Sequence, residues 1–210
     1  MLESRLEPPA VSAALAAAGH PVAPETAVAL AEYLRLLVKW NRAYNLTGIR
    51  DPDELVGRHL VESLALAPRL RGERIADVGT GAGLPGIPLA IVAPERRFVL
   101  IESRAKRVYF LRHVVMTLGL DNAEVAHTRV EDLPCERPFD TVLARAVAPP
   151  AALVAMTRHL TAPGTILLLL TAARLAEEWR ASAAQFRLRV VELDLPARPG
   201  RSAVVMLERC

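Results

Sequence analysis

The stretch that decides the fold is Ile75-Ala76-Asp77-Val78-Gly79-Thr80-Gly81-Ala82-Gly83-Leu84-Pro85-Gly86. A short apolar run with the character of a buried strand enters a glycine-rich turn, and a helix-compatible run, Ile87–Ala93, follows. In an open parallel sheet, ligands bind beyond the carboxyl ends of the strands. Glycines there permit positive φ and let the backbone approach a ligand closely. The alternative is a tight turn that holds nothing.

Outward from this unit the chain alternates. Candidate strands are Arg74–Val78, Phe98–Ile101, Ala123–His127, Asp140–Ala144, Thr165–Leu170, Arg187–Leu193 and Ala203–Leu207. Helices fit at Ile87–Ala93, Ser103–Leu118, Pro149–Leu160 and Leu175–Phe186, whereas Thr128–Phe139 is too short and Pro-broken for one. Such alternation implies parallel pairing through right-handed crossovers. Only a loop, Pro196–Ser202, joins the last two strands, so that pair is antiparallel. The expected core is a Rossmann-like, mostly parallel seven-stranded α/β sheet with an antiparallel end strand, spanning residues 73–210. Residues 1–72 read as a helical extension packed on it. Leu30, Tyr33, Leu34, Leu37 and Val38 recur at helical spacing. Asp51, Pro52 and Glu54 form a helix start, with the helix running to about Ala67 and stopping at Pro68.

Composition excludes several classes. The 210 residues are 52% hydrophobic and 23% charged, which is globular rather than disordered. Two cysteines, Cys135 and Cys210, permit no disulfide framework and no cysteine-rich zinc site; no metal is expected. The longest apolar runs, such as Ile166–Leu170, fall far short of the ~18 residues of a membrane span. The N-terminus lacks the basic start and unbroken apolar stretch of a signal peptide. A soluble, cytoplasmic, monomeric protein is expected. A net charge of +3 permits nucleic-acid binding without demonstrating it. Only Lys39 and Lys106 among the 26 basic residues are lysines, a bias that fits codon usage as well as RNA binding.

The ligand follows from the residues around the turn. Gly81, Gly83 and Gly86 match the dinucleotide pattern, but that pattern starts at the strand end, and here the spacing from Gly79 is G-x-G-x-G. Asp77 discriminates further. A carboxylate repels a pyrophosphate, whereas S-adenosylmethionine carries an ammonium and a sulfonium and no phosphate. Glu102 lies at the carboxyl end of the second strand, 25 residues after Asp77. An acidic residue there accepts hydrogen bonds from ribose hydroxyls; the alternative is a charge at a helix start. Val130, Glu131 and Asp132 follow the third strand, where an adenine would lie if the cofactor crosses the first three strand ends.

Arg145, just beyond the fourth strand, is placed to meet a phosphate or a base oxygen, or to form an ion pair within the fold. Arg58 and His59 lie on the helix begun by Asp51; Asn41 and Asn45 are four apart on one helix face. These are candidate RNA contacts, with core packing and helix capping as alternatives. Arg104, Lys106, Arg107 and Arg112 form a basic run on the helix after Glu102, either a solvated face or a phosphate contact.

The segment Asp77 to Ile91 resembles the cofactor loop of the RsmG (GidB) family, and its Pro85-Gly86-Ile87-Pro88 extension is the specific part. Trp40-Asn41…Asn45-Leu46-Thr47, Arg58-His59…Glu62-Ser63, and Ile101-Glu102-Ser103 with Lys106-Arg107 and Phe110-Leu111 are similar to other family segments. The resemblance covers about residues 25–170. It implies a class I, S-adenosylmethionine-dependent methyltransferase acting on N7 of one guanine in the 530 loop of 16S ribosomal RNA, with that RNA or the small ribosomal subunit as partner. It also implies cofactor contacts at Gly79, Leu84, Val130, Glu131 and Arg145, beside Asp77, Gly81 and Glu102. Three departures stand out: Glu62 where the family has Asp, Ala144 before Arg145 where it has Ser, and Thr171-Ala172 where it has Lys-Gly. The implied reaction is an in-line displacement. N7 carries a free lone pair and the leaving thioether is neutral, so no general base is expected. A small-molecule or protein methyltransferase on the same core, a nicotinamide-dependent oxidoreductase, and a non-catalytic RNA-binding protein are the alternatives.

Overall fold

The computed structural model describes residues 5–172, 178–179, 186–193 and 202–210. Among these, seven strands form one sheet: β1 (Arg74–Val78), β2 (Arg97–Glu102), β3 (Ala123–His127), β4 (Thr141–Arg145), β5 (Ile166–Ala172), β6 (Phe186–Leu193) and β7 (Ser202–Arg209), in the order β3-β2-β1-β4-β5-β7-β6. All neighbouring pairs from β3 to β5 are parallel, while β7 runs antiparallel to both β5 and β6. The mostly parallel sheet with one reversed strand is as the sequence implies. The reversed strand is last in the chain and lies one place in from the edge.

Two consequences position the site. The chain order turns back between β1 and β4, the switch point at which open α/β sheets leave a crevice. Because β7 is reversed, its first residue, Ser202, pairs with Ala172 at the end of β5. Val78 pairs with Ile101 and with Ala144. The carboxyl edge therefore reads, in order, Glu102, Gly79, Arg145, Ala172, Ser202.

Strands β1, β2, β4 and β5 are largely buried and read as near-continuous apolar runs, whereas the edge strand β3 is only half-buried. Ile75, Leu100, Leu143 and Leu168 pack under the N-terminal helices. Ala76, Ile101, Val142 and Leu167 face the opposite layer with Leu153 of the helix after β4 and Trp179. The helices are α1 (Pro8–Ala17), α2 (Pro24–Tyr44), α3 (Pro52–Leu55, Val56–Val61 and Glu62–Leu64 in succession), α4 (Gly86–Val92), α5 (Ala105–Leu118) and α6 (Pro150–Thr157). The expected stripe of α2 is buried at Leu30, Tyr33, Leu34 and Leu37. Trp40 on the same helix stacks 5.7 Å from Phe110 and 5.4 Å from His113 of α5, tying the N-terminal layer to the sheet's own helices.

The segment after Asp51 differs from the single helix expected. Asp51 does cap it, accepting a hydrogen bond from the Glu54 backbone at 3.3 Å. Its middle, Val56–Val61, is wound as a π-helix, and the helix ends at Leu64. Pro68 falls inside a separate 3₁₀ turn, Ala67–Arg69, whose first turn tolerates a residue without an N–H. Arg145 is the last residue of β4 rather than just beyond it. Of the helix expected at 175–186, only 178–179 are described, and they are helical; Phe186 opens β6.

Gly86 begins α4 where the helix crosses β1 and β2. A Cβ there would lie 2.4 Å from a Leu100 methyl and 2.6 Å from Asp77 Oδ2. Gly86→Ala should therefore cost about 1–3 kcal/mol through overpacking, read as a lower urea midpoint with an unchanged slope; an unchanged midpoint would show that α4 is free to back away.

Candidate active site

Asp77 lies in the middle of the sheet and is fully buried. Its Oδ2 accepts hydrogen bonds from the Thr80 hydroxyl and, at 2.8 Å, from the Gly86 backbone. One carboxylate oxygen thus ties the strand end, the turn and the first residue of α4 together. Oδ1 has no hydrogen-bond partner. Burial pushes the Asp77 pKa up to about 7, against the two hydrogen bonds and the Arg145 charge, which pull it down.

The turn is held from two further sides. The Tyr33 hydroxyl donates to the Ala82 carbonyl at 2.8 Å from α2; burial raises that phenol's pKa well above its ordinary value. Glu102, at the end of β2, accepts from the Gly81 backbone at 3.1 Å, from the Arg104 backbone at 2.9 Å and from Arg107 at 3.4 Å. It therefore both braces the turn and caps α5. Gly79 and Gly81 have φ of 60° and 63°, where an L side chain is strained. A Cβ on Gly79 would also sit 3.1 Å from the Val147 methyls of the β4–α6 loop. Leu84 is buried behind the turn. Past β3, Val130 and Glu131 open a 3₁₀ turn, with Val130 buried against Ile101 and Val78 in the same cluster and Glu131 exposed.

On the other side of Gly79 a cavity of about 550 Å³ opens at the ends of β4 and β5. Leu153, Leu169, Leu170, Trp179 and Val147 give it apolar walls; Arg58, Glu62, Arg145, Thr171, Glu178 and Ser202 supply polar groups. Arg145 sits 3.5 Å from Glu62 and donates to the Arg58 carbonyl at 3.2 Å. Burial lowers the Arg145 pKa, opposed by Glu62. Glu62 Oε1 accepts from Ser202 at 3.0 Å. The ion-pair alternative weighed for Arg145 is thus present, and the guanidinium still lines the cavity. Arg58 Nε is buried without a partner.

Asn41, Asn45 and His59 lie elsewhere. Asn41 Oδ1 accepts from the Thr47 backbone at 2.8 Å, and the Thr47 hydroxyl meets His59 Nε2 at 3.0 Å. Asn45 ends α2 in the left-handed conformation, φ 49°, which Asn tolerates. Asn41 and His59 are engaged in seating α3 on α2, and burial lowers the His59 pKa to about 3. Among the described residues no group of three or more His, Cys, Asp and Glu is placed to hold a metal ion. No described helix is long and apolar enough to cross a membrane.

The sequence model of the family described as "rRNA small subunit methyltransferase G" matches residues 27–200. A relative of that name from Shigella dysenteriae is 42% identical over 91% of this chain and 93% of its own length; one from Ectopseudomonas mendocina is 45% identical over 86% of each. The chain belongs to this family. It is an S-adenosylmethionine-dependent methyltransferase. Solved structures agree on the fold: a "SAM dependent methyltransferase" from Aquifex aeolicus superposes with a TM-score of 0.60 at 18% identity, covering 79% of this chain and 97% of that one. A methyltransferase from Geobacter sulfurreducens gives 0.61 at 15% identity, covering 85% and 89%.

For this methyltransferase the sequence locates the glycine turn, and misses its supports. Thr80 and Tyr33 bind the turn without any local motif that marks them. Ser202 reaches Glu62 across 140 residues of chain, a contact that only the reversed β7 creates.

Asp77 also sets a pH dependence. Its folded pKa is raised above the ordinary 3.8, so the folded protein retains a proton that the unfolded chain has lost between about pH 4 and 7. Its contribution is fully present below that window and declines as pH rises through it. Asp77→Asn should lack this slope: its thermal midpoint, relative to the parent, should rise from pH 4.5 to 8. A constant offset across that range would contradict the buried-carboxylate account.

Proposed function

We propose that the protein methylates N7 of a single guanine in small-subunit ribosomal RNA, with S-adenosylmethionine held at the glycine turn and the base received in the neighbouring cavity. The observation that carries this reading is the adjacency of the two sites. The Val147 methyls stand 3.1 Å from where a Cβ on Gly79 would lie, and Val147 also lines the cavity.

The residues at the turn fit the cofactor. Gly79 and Gly81 offer backbone without side chains, and the buried Asp77 Oδ1 lacks a partner. A carboxylate suits a ligand carrying an ammonium and a sulfonium, and a nearby cation favours the charged form of Asp77. Glu102 would take the ribose hydroxyls, which replace the Arg107 contact, the longest of its three. Leu84, Val130 and Glu131 would flank the remainder, and Arg145 would stand between cofactor and base.

The cofactor supplies an electrophilic methyl on sulfur. The chain's own work is to bring N7 into line with it and to exclude water. Orientation of this kind is worth at most roughly 7–11 kcal/mol. N7 is unprotonated at neutral pH, so no side chain has to remove a proton and no catalytic base is assigned. Arg58 and Arg145 add positive charge where an RNA strand would enter, and the basic run on α5 extends it. Asn41 and His59 support the same face indirectly, by seating α3, and Asn45 ends α2 beside them. The enzyme is further proposed to act as a monomer in the cytoplasm, where its ribosomal RNA substrate would be met.

The test is methyl transfer from radiolabelled S-adenosylmethionine to small ribosomal subunits from cells lacking this gene, with the modified base mapped. Label on one guanine N7 is expected, and Gly79→Arg should abolish cofactor binding and transfer while circular dichroism stays unchanged. Label on another base, or on protein, would contradict the assignment.

A further inference from the structure

We propose that Glu62 is the residue that selects guanine, its carboxylate accepting hydrogen bonds from N1–H and the N2 amino group of the acceptor base. This rests on the guanine reading above and adds the group that discriminates the base.

Enzymes that modify a base within RNA or DNA take it out of the stack into a fitted pocket, stack it against apolar side chains and read its Watson–Crick edge. The cavity beside the glycine turn offers such walls in Leu153, Leu169, Leu170 and Trp179, and two carboxylates, Glu62 and Glu178, line it as well. Of the two, Glu178 is exposed, whereas Glu62 is buried and held on both oxygens. It is 4% exposed. Oε1 accepts from Ser202 at 3.0 Å, and Oε2 lies 3.5 Å from Arg145. A carboxylate offers about four lone-pair sites, so two remain for a ligand.

Guanine presents an acceptor and two donors in a row: O6, N1–H and N2–H. Arg145 beside Glu62 presents a donor followed by two acceptor oxygens, the complementary row. Adenine presents a donor next to an acceptor, and a carboxylate has no donor to give it. The orientation also suits the reaction. Glu62 is bonded to β7 and paired to the end of β4, while Gly79 lies on the β1 side of the cavity. A purine held at Glu62 by its Watson–Crick edge turns its imidazole edge, and N7, toward β1 and the turn.

The rival account is that Glu62 only pins β7 to α3 and neutralises Arg145. The two separate on a substrate lacking one hydrogen bond. Inosine keeps N7, O6 and N1–H and lacks the N2 amino group. Small subunits would be reconstituted with 16S RNA carrying guanosine or inosine at the methylated position. The unaltered enzyme should use inosine about tenfold to a hundredfold less well in kcat/KM, the effect of one charge-assisted hydrogen bond and its unsatisfied partner. Glu62→Gln, which presents an amide N–H to the base, should be slowed at least as much on guanosine and should no longer distinguish the two. Its affinity for S-adenosylmethionine should stay within about twofold of the parent's. Equal use of both substrates by the unaltered enzyme, or a preference that survives in Glu62→Gln, would overturn the assignment of Glu62 and leave the guanine reading intact. Should Glu62→Gln not fold, because Arg145 loses its paired carboxylate, Glu62→Asp, which keeps the charge and draws it back from the base, takes its place: a reduced preference for guanosine is expected, and an undiminished one would overturn the assignment. Transfer to neither substrate would overturn the guanine reading, and Glu62 with it.

Discussion

The Asp77 carboxylate is the constraint on which the site depends. Burying a charge in the middle of a sheet is costly unless it is hydrogen-bonded. Here one oxygen takes two donors, the Thr80 hydroxyl and the Gly86 backbone. Those bonds fix the two ends of the turn, so Gly79 and Gly81 are left with positive φ and backbone facing outward. Tyr33 and Glu102 then hold the turn from above and from the side. The residual cost is visible as a carboxyl group whose pKa burial lifts to about 7. A cationic ligand next to it would relieve that cost, so the proposed cofactor placement would couple the stability of the turn to binding.

Topology does the rest. A sheet that reverses its winding at β1 opens a crevice there, and a reversed β7 returns its first residue to the same edge. Glu102, Gly79, Arg145 and Ser202 thereby come into one row from four strands. The N-terminal helices close that row from one face. Their contribution is specific: α2 supplies Tyr33, and the π-wound α3 supplies Glu62 and the Arg58 carbonyl. π-turns recur at functional sites because they re-aim side chains that a regular helix would bury or expose. Without α3, Arg145 would be a buried cation lacking its paired carboxylate.

Much of the sheet was legible in the sequence because parallel strands buried on both faces leave apolar runs bounded by turns. The strand ends shift by a residue or two, as at Thr141–Arg145, since terminal residues carry little pattern. The glycine turn was legible because positive φ demands glycine at fixed places. Its supports were not: nothing local marks Tyr33 as the partner of Ala82, 49 residues away. Asn41 and His59 carried motif-like surroundings for a reason the sequence did not separate, their convergence on Thr47. Glu62 stood out only as a departure from the family's Asp, and its setting between Arg145 and Ser202 emerges from the reversed strand.

The proposed arrangement puts cofactor and base in one cleft, with Val147 between them. The most direct measurement is a crystal structure with S-adenosylhomocysteine bound. Its ribose is expected at Glu102, its backbone contacts at Gly79 and Gly81, and its sulfur facing the cavity lined by Glu62 and Arg145. A sulfur turned away from that cavity, or a cofactor seated elsewhere on the sheet edge, would contradict it.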